Sequence, residues 1–199
     1  MKQKRRLNNW GYGLMYEVGG AFKFHYLVTK PKWKYMNIRL ATEDDLKAIN
    51  EIYNQSIPSH TSTADTRPYS MEERAEWFIS HEPDRYPVFV THDNDKITGW
   101  VSLSPYRPRR DAMRYTAEIS YYVGEGFQRQ GIGSALVSFA LKKAPEYSIK
   151  NLIAILLGHN EASIKLLEKY GFERWGFMPG IADFNGVERD HLYYGLKLY

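Results

Sequence analysis

The sequence predicts a mixed α/β fold: a sheet flanked by helices, with antiparallel N-terminal strands and a parallel crossover further on. Three observations carry this expectation. Strand-like runs at 88–91 and 97–104 are joined by Asp93-Asn94-Asp95-Lys96, a hairpin composition. Residues 117–123 are aromatic and β-branched, break at Gly124 and Gly126, and lead into Ile132, Ala135, Leu136, Phe139 and Ala140, which share one face of a 3.6-residue period. The unbroken apolar run 152–157 reads as a strand buried on both faces, so strand, helix and strand form a parallel crossover unit.

The remaining elements follow in order. Residues 37–40 form a short strand, and Thr42 with Asp45 three positions on resembles a capping box before a helix that buries Leu46, Ile49 and Tyr53. Ser70 and Glu73 repeat that spacing at the head of a second helix, whose apolar residues are Ala75, Trp77, Phe78 and Ile79. The polar loop 56–69 between them is long enough to serve a site or to act as a mobile connector. A basic loop, Arg107-Pro108-Arg109-Arg110, precedes the central strand. Asn160 to Ser163 opens the last helix, with Ile164, Leu167 and Tyr170 along it and Gly171 as its stop; strands at 172–177 and 191–198 end the chain.

Composition limits the function classes. With 199 residues, 43% hydrophobic and 15% aromatic, the chain can bury one full core. Zero cysteines exclude disulfides and thiolate chemistry, and a cytoplasmic location is expected. No apolar run approaches the roughly 20 residues of a membrane span. The net charge of +4 is uneven, because eight of the 27 Lys/Arg and only one of the 23 Asp/Glu lie in residues 1–35. That segment reads as a basic, unstructured or accessory extension ahead of a domain starting near Met36, in preference to a nucleic-acid-binding arm. His159 and His191 stand alone at strand ends without metal-ligand spacing, so no metal is expected.

The glycine turn carries the chemistry. The first N–H groups of a helix lack intrahelical partners and lie at the positive end of its dipole, so they suit a phosphate. Gly131 and Gly133 leave the backbone uncovered there and Arg129 adds charge, although a tight turn that binds nothing has the same composition.

Gln128-Arg129-Gln130-Gly131-Ile132-Gly133-Ser134 after a strand ending in Val123 resembles the Gln/Arg-x-x-Gly-x-Gly/Ala signature of GNAT-type N-acetyltransferases. Residues 36–199 are more narrowly similar to the phosphinothricin N-acetyltransferase branch through Ile38-Arg39-x-Ala41-Thr42-x-x-Asp45, Glu118-x-Ser120-x-Tyr122-Val123 and Asn160-x-x-Ser163 leading to Gly171-Phe172. The resemblance implies a mostly antiparallel sheet with a splayed parallel strand pair, and acetyl-CoA as co-substrate. It places the pantetheine arm against the backbone of Tyr121, Tyr122 and Val123 and the pyrophosphate against Gln128, Arg129, Gln130, Gly131, Ile132, Gly133 and Ser134. Asn160 and Ser163 complete the cofactor contacts. It further implies a small-molecule amine at Arg110, Asp111, Ala112 and Met113, and a homodimer.

Glu118 is the expected general base, since an ammonium must lose a proton before its nitrogen attacks a thioester; the alternative is an ion pair with Arg114 or Arg110. Where many relatives carry a Tyr as proton donor to the leaving thiolate, this chain has Leu167, leaving water or Tyr122. Met113 and Glu188 stand where relatives have aromatic residues, so the acceptor is less defined than the donor. The expected activity is acetyl-CoA-dependent N-acetylation of an amino-acid analogue of the phosphinothricin or methionine sulfoximine type. The alternatives are a non-catalytic acetyl-CoA-binding module, or an acetyltransferase acting on a protein or ribosome-associated amine.

Overall fold

The computed structural model describes residues 12–18, 21–27 and 36–199, in two units divided between Tyr35 and Met36. In the first unit β1 (Tyr12–Val18) and β2 (Ala21–Leu27) pair antiparallel, with Tyr12 opposite Leu27. The basic residues Lys2, Lys4, Arg5 and Arg6 lie outside the described residues.

The second unit is a seven-stranded sheet with helices on both faces. Its strands are β3 (Asn37–Leu40), β4 (Val88–Asp93), β5 (Lys96–Pro105), β6 (Thr116–Val123), β7 (Asn151–Leu157), β8 (Glu173–Asp183) and β9 (Glu188–Lys197), in the spatial order β3-β4-β5-β6-β7-β9-β8. All neighbours are antiparallel except β6 and β7.

Local chemistry starts each helix as the sequence indicates. Thr42 and Asp45 form a reciprocal capping box, and Asp45 also takes two bonds from the Arg39 guanidinium at 2.6 and 2.8 Å. The box encloses a 3-10 turn at Glu43–Asp45, which runs on into α1 (Leu46–Asn54). Ser70 and Glu73 cap α2 (Met71–Ile79) in the same way. α3 (Ile132–Lys143) follows the glycine turn, and α4 (Glu161–Lys169) is capped by Asn160, whose side-chain oxygen accepts from Ser163 N–H at 3.1 Å.

Strand β6 divides the interior. Its odd-numbered residues Ala117, Ile119, Tyr121 and Val123 pack with α3 and α4 residues such as Leu136, Ala140 and Leu167. The opposite face joins Tyr122 to Ile49 and Ile52 of α1, Val88 and Val90 of β4, and Trp100 of β5.

One expectation needs correction. Strand β8 runs to Asp183, well past residue 177, because Pro179 and Gly180 do not end it: the ladder shifts register between Met178 and Ala182, Gly180 sits at φ +61°, and an edge strand tolerates proline. Helix α2 fully buries none of its apolar residues. Ile79 is 77% exposed, and the one buried residue is Arg74, at 2%.

The close fit of α3 to the sheet depends on Gly99 in β5. A Cβ there would lie 2.8 Å from the Tyr122 carbonyl oxygen and 3.2 Å from both Ile132 and Leu136. Gly99→Ala is therefore expected to destabilise the protein by about 1–3 kcal/mol. Urea unfolding checks this, and an unchanged midpoint would mean that strand and helix yield freely.

Candidate active site

The site begins where β6 and β7 part. Their parallel register covers Thr116–Asn151, Ala117–Leu152 and Glu118–Ile153, and no pairing follows. The antiparallel ladder to β5 continues to Val123 opposite Gly99, and bonds at its two ends fix its phase: Gly124 N–H donates to Thr98 at 3.0 Å and Tyr106 N–H to Thr116 at 3.4 Å. Because hydrogen-bonded pairs alternate, the even-numbered residues of β6 bond β5 and the odd-numbered ones point their backbone groups the other way. Beyond Glu118 the groups of Tyr121 and Val123 therefore face a gap.

That gap opens into a groove of about 960 Å³ bordered by Tyr121, Tyr122 and Val123, the turn residues Gln128 and Arg129, Gly131 to Ser134, and Asn160 and Ser163 of α4. Gly131 caps α3 in the left-handed region at φ +89°, where a side chain is strained, and no side chain caps that helix end. Arg129 also lies at positive φ, +60°. Gln130 is turned back onto Gly126 C=O at 2.9 Å and does not border the groove. Gly133 has a second use: a Cβ there would lie 3.3 Å from Leu166, so it sets the approach of α4 to α3. The Tyr121 hydroxyl is buried without a well-placed hydrogen-bond partner, and burial, partly opposed by Ser163, pushes it up to about 12.

On the opposite face of β6 lies a pocket of about 320 Å³ that includes Glu118, Ser120 and Tyr122. Trp100 and Tyr122 stack at 4.8 Å and Tyr53 packs on Tyr122 at 4.8 Å, forming an aromatic wall. Glu118 sits opposite Ser104 in the ladder and makes no ion pair among the described residues, so the alternative pairing with Arg114 or Arg110 is not formed. Burial raises its carboxyl above the usual range against the opposing Ser120 hydroxyl. Burial likewise pushes the Tyr53 and Tyr122 phenols up, so both stay protonated as donors.

Loop 56–69 closes this pocket and is fastened in place. Asn54 exchanges two 2.9 Å bonds with the Tyr69 backbone, Asn50 adds a third at 3.0 Å, and the Tyr53 hydroxyl bonds Thr63 at 2.9 Å and Asp65. His159 ties the same loop down through the His60 carbonyl at 2.8 Å. His191 borders the pocket from β9, and burial keeps its pKa low.

The fold thus brings Glu118 and Tyr122 together with the groove residues, since Ser62 and Tyr122 border both cavities. It does not bring Arg110, Asp111, Ala112 and Met113 to Glu118. They line a separate hollow with Arg107 and Arg109, and Met113 is 44% exposed. Pocket residues that the sequence analysis missed are Tyr53, Asp65, Arg74 and Trp100. For Arg74 a signal existed: a cation three residues before Trp77, on the inward face of α2. Among the described residues no group of three or more His, Asp or Glu side chains is placed to hold a metal ion, and no helix is long and apolar enough to cross a membrane.

This arrangement has counterparts among known proteins. The pattern of the Acetyltransferase (GNAT) family matches residues 46–172. A Bacillus subtilis (strain 168) protein provisionally named as phosphinothricin acetyltransferase YwnH is 42% identical over 164 residues, 82% of this chain and 99% of the relative. The L-methionine sulfoximine/L-methionine sulfone acetyltransferase of Salmonella typhimurium is 32% identical over 146 residues, 73% and 85% of the two chains. The crystal structure of a GNAT superfamily phosphinothricin acetyltransferase from Sinorhizobium meliloti, solved in complex with acetyl-CoA, superposes with a TM-score of 0.77 at 29% identity, covering 81% of this chain and 88% of that one. A parallel pair that splays beside an uncapped, glycine-led helix, in a chain that matches this family over most of its length, leads to one assignment: the chain belongs to the GNAT acetyltransferase family.

Proposed function

We propose that this protein transfers the acetyl group of acetyl-CoA to the primary amine of a small amino-acid analogue of the phosphinothricin or methionine sulfoximine type, by direct attack and in the cytoplasm. The observation that carries the reading is the junction of the two cavities at Ser62 and Tyr122, which lets a donor in the groove and an acceptor beside Glu118 meet at the point where β6 leaves β7. The transferase unit in this reading is 36–199, with 1–35 an accessory extension.

The groove residues fit acetyl-CoA. The outward backbone groups of Tyr121 and Val123 match an amide-bearing arm as an added strand would, and the uncapped start of α3 behind Gly131 suits a pyrophosphate, with Arg129 adding charge. Asn160 and Ser163 flank that arm from α4. The bound co-substrate supplies an activated acyl group. Glu118 accepts the proton of the incoming ammonium, and its partial burial raises its basicity toward that task. In this reading Val123 N–H, which faces the gap, donates to the acyl oxygen. Arg110 to Met113, in their separate hollow, act at this site only from the partner subunit of a dimer or after loop movement. Self-association is supported by Phe177 and Ile181, which stand 51% and 59% exposed on edge strand β8. Sedimentation of the wild type and Phe177→Asp tests it, and an unchanged oligomeric state would remove that face from the interface.

Glu118→Gln keeps the shape and loses the proton acceptor. With L-methionine sulfone or phosphinothricin as acceptor, kcat is expected to fall about 100- to 10 000-fold while the KM for acetyl-CoA changes little. The wild-type to variant ratio should widen from about pH 9 down to about pH 7, because the variant acts only on amine that is already neutral. A ratio that narrows over this interval, or a variant that mainly loses stability, would make Glu118 a structural residue. Absence of acetylated product from any amine with folded wild-type protein would overturn the enzymatic reading itself.

Gly131→Asn separates backbone strain from phosphate approach, since Asn tolerates the left-handed region while its side chain still covers the turn. We expect acetyl-CoA affinity to drop roughly tenfold or more with Tm nearly unchanged. Calorimetric titration with acetyl-CoA checks this, and unchanged affinity would make the glycine turn structural only.

A further inference from the structure

Four buried side-chain polar atoms among the described residues have no hydrogen-bond partner, and two of them belong to residues that line the Glu118 pocket: Nη2 of Arg74 and Nε1 of Trp100. Both can only donate. Arg74 is 2% exposed and Trp100 1%, so water does not satisfy them from outside the protein. The guanidinium carbon lies 4.5, 5.0 and 4.7 Å from the rings of Tyr53, Tyr69 and Trp77, and Nε donates to Asn50 Oδ1 at 3.2 Å. No carboxylate among the described residues comes within 4 Å of Arg74. The nearby carboxylate of Asp65 is bonded to the Tyr53 hydroxyl.

A buried cation without an anion is costly, and three aromatic faces offset only part of that cost. Two unfilled donors on residues that line one pocket ask for an acceptor with several lone pairs and a negative charge, which describes an oxyanion. The same pocket holds Glu118 on β6, so a ligand in contact with both walls would carry an amine at one end and an oxyanion at the other. Arg74, Trp100 and Glu118 all line that one pocket, whose volume of about 320 Å³ suits a molecule of amino-acid size.

We propose that Arg74, assisted by Trp100 Nε1, is the anion anchor of the acceptor pocket and holds a carboxylate or phosphinate of the acceptor while its amine faces Glu118. This rests on the N-acetyltransferase reading above. Arg74 thereby selects acceptors that carry an acidic group and is a binding residue, with Glu118 retaining the proton.

The test uses the full chain as wild type, Arg74→Met and Arg74→Lys, with four acceptors: phosphinothricin, L-methionine sulfone and the α-carboxamide of each. Binding without acetyl-CoA is measured by calorimetry and acetylation by thiol release. If the α-carboxylate is held, wild type prefers acid over amide by roughly 10- to 100-fold, Arg74→Met abolishes the preference and Arg74→Lys restores part of it. If the side-chain phosphinate is held, the lost preference is instead that for phosphinothricin over the sulfone. Equal losses for all four compounds in Arg74→Met, with acetylation by wild type intact, would overturn the anchor and leave Arg74 as packing. Oxyanion-dependent binding that Arg74→Met removes, without acetylation by wild type, would keep the anchor and sink the transferase reading. Wild type that neither binds nor discriminates any of the four overturns the anchor. Thermal unfolding of both variants separates a folding defect from these outcomes, with Arg74→Lys as the variant that preserves charge.

Discussion

The divergence of β6 from β7 after the Glu118–Ile153 pair is the constraint on which the rest of the molecule depends. A sheet interior does not leave backbone donors and acceptors unpaired without cost, since each buried orphan forfeits about as much as a lost hydrogen bond. Here the parallel ladder stops while the antiparallel ladder to β5 continues, so one edge of β6 stays rigidly held while the other is open. Tyr121 of β6, Leu156 of β7 and Leu167 of α4 line a small cavity at the opening, with the capped first turn of α4 at its end. A ligand with amide groups along its length would complete the sheet and turn the orphaned edge into binding energy that an ordinary paired strand does not possess.

The alternation that turns the backbone of Tyr121 and Val123 toward the groove turns the side chains of Glu118, Ser120 and Tyr122 into the other pocket, so in the proposed reading the two-residue period of β6 separates donor from acceptor handling. On the acceptor side the environment is aromatic, polar and sparsely charged. That combination keeps Glu118 free of a cation that would hold its proton affinity down, and partial burial acts in the opposite direction. His81 contributes at a distance. Its Nδ1 lies 2.7 Å from the Trp77 carbonyl, which accepts and so fixes the proton there, leaving Nε2 to accept from the Ser104 hydroxyl at 2.9 Å. Ser104, the cross-strand neighbour of Glu118, is thus held in one orientation.

Much of this was legible in the chain, and the legible part has a common character. Capping boxes, the Asp93–Lys96 hairpin and the glycine turn are encoded by neighbours within a few residues, and all stand where the sequence puts them. The unread parts depend on partners far away. Strand β8 passes through Pro179 and Gly180 because β9 lies alongside on one edge only, a fact of topology that no local composition announces. Arg74 looks like a solvated helix residue until Tyr53, Tyr69 and Trp77, drawn from α1, the loop and α2, close around it. Loop 56–69 reads either as a site loop or as a mobile connector until Asn50 and Asn54 are seen to bond its far end.

This division explains why the acyl donor is easier to read than the acceptor. In the proposed reading donor recognition rests on backbone groups, one left-handed glycine and one helix start, which tolerate wide change in the surrounding side chains as long as the strand–turn–helix geometry persists. The acceptor pocket is assembled from side chains of α1, α2, the loop after α1, β5, β6, β7 and β9, and each can vary without disturbing the groove. Relatives that share the groove can therefore differ in their amine, and in the proposed reading charged lining residues such as Arg74, Asp65 and Glu118 decide more about the substrate than the signature that identifies the family.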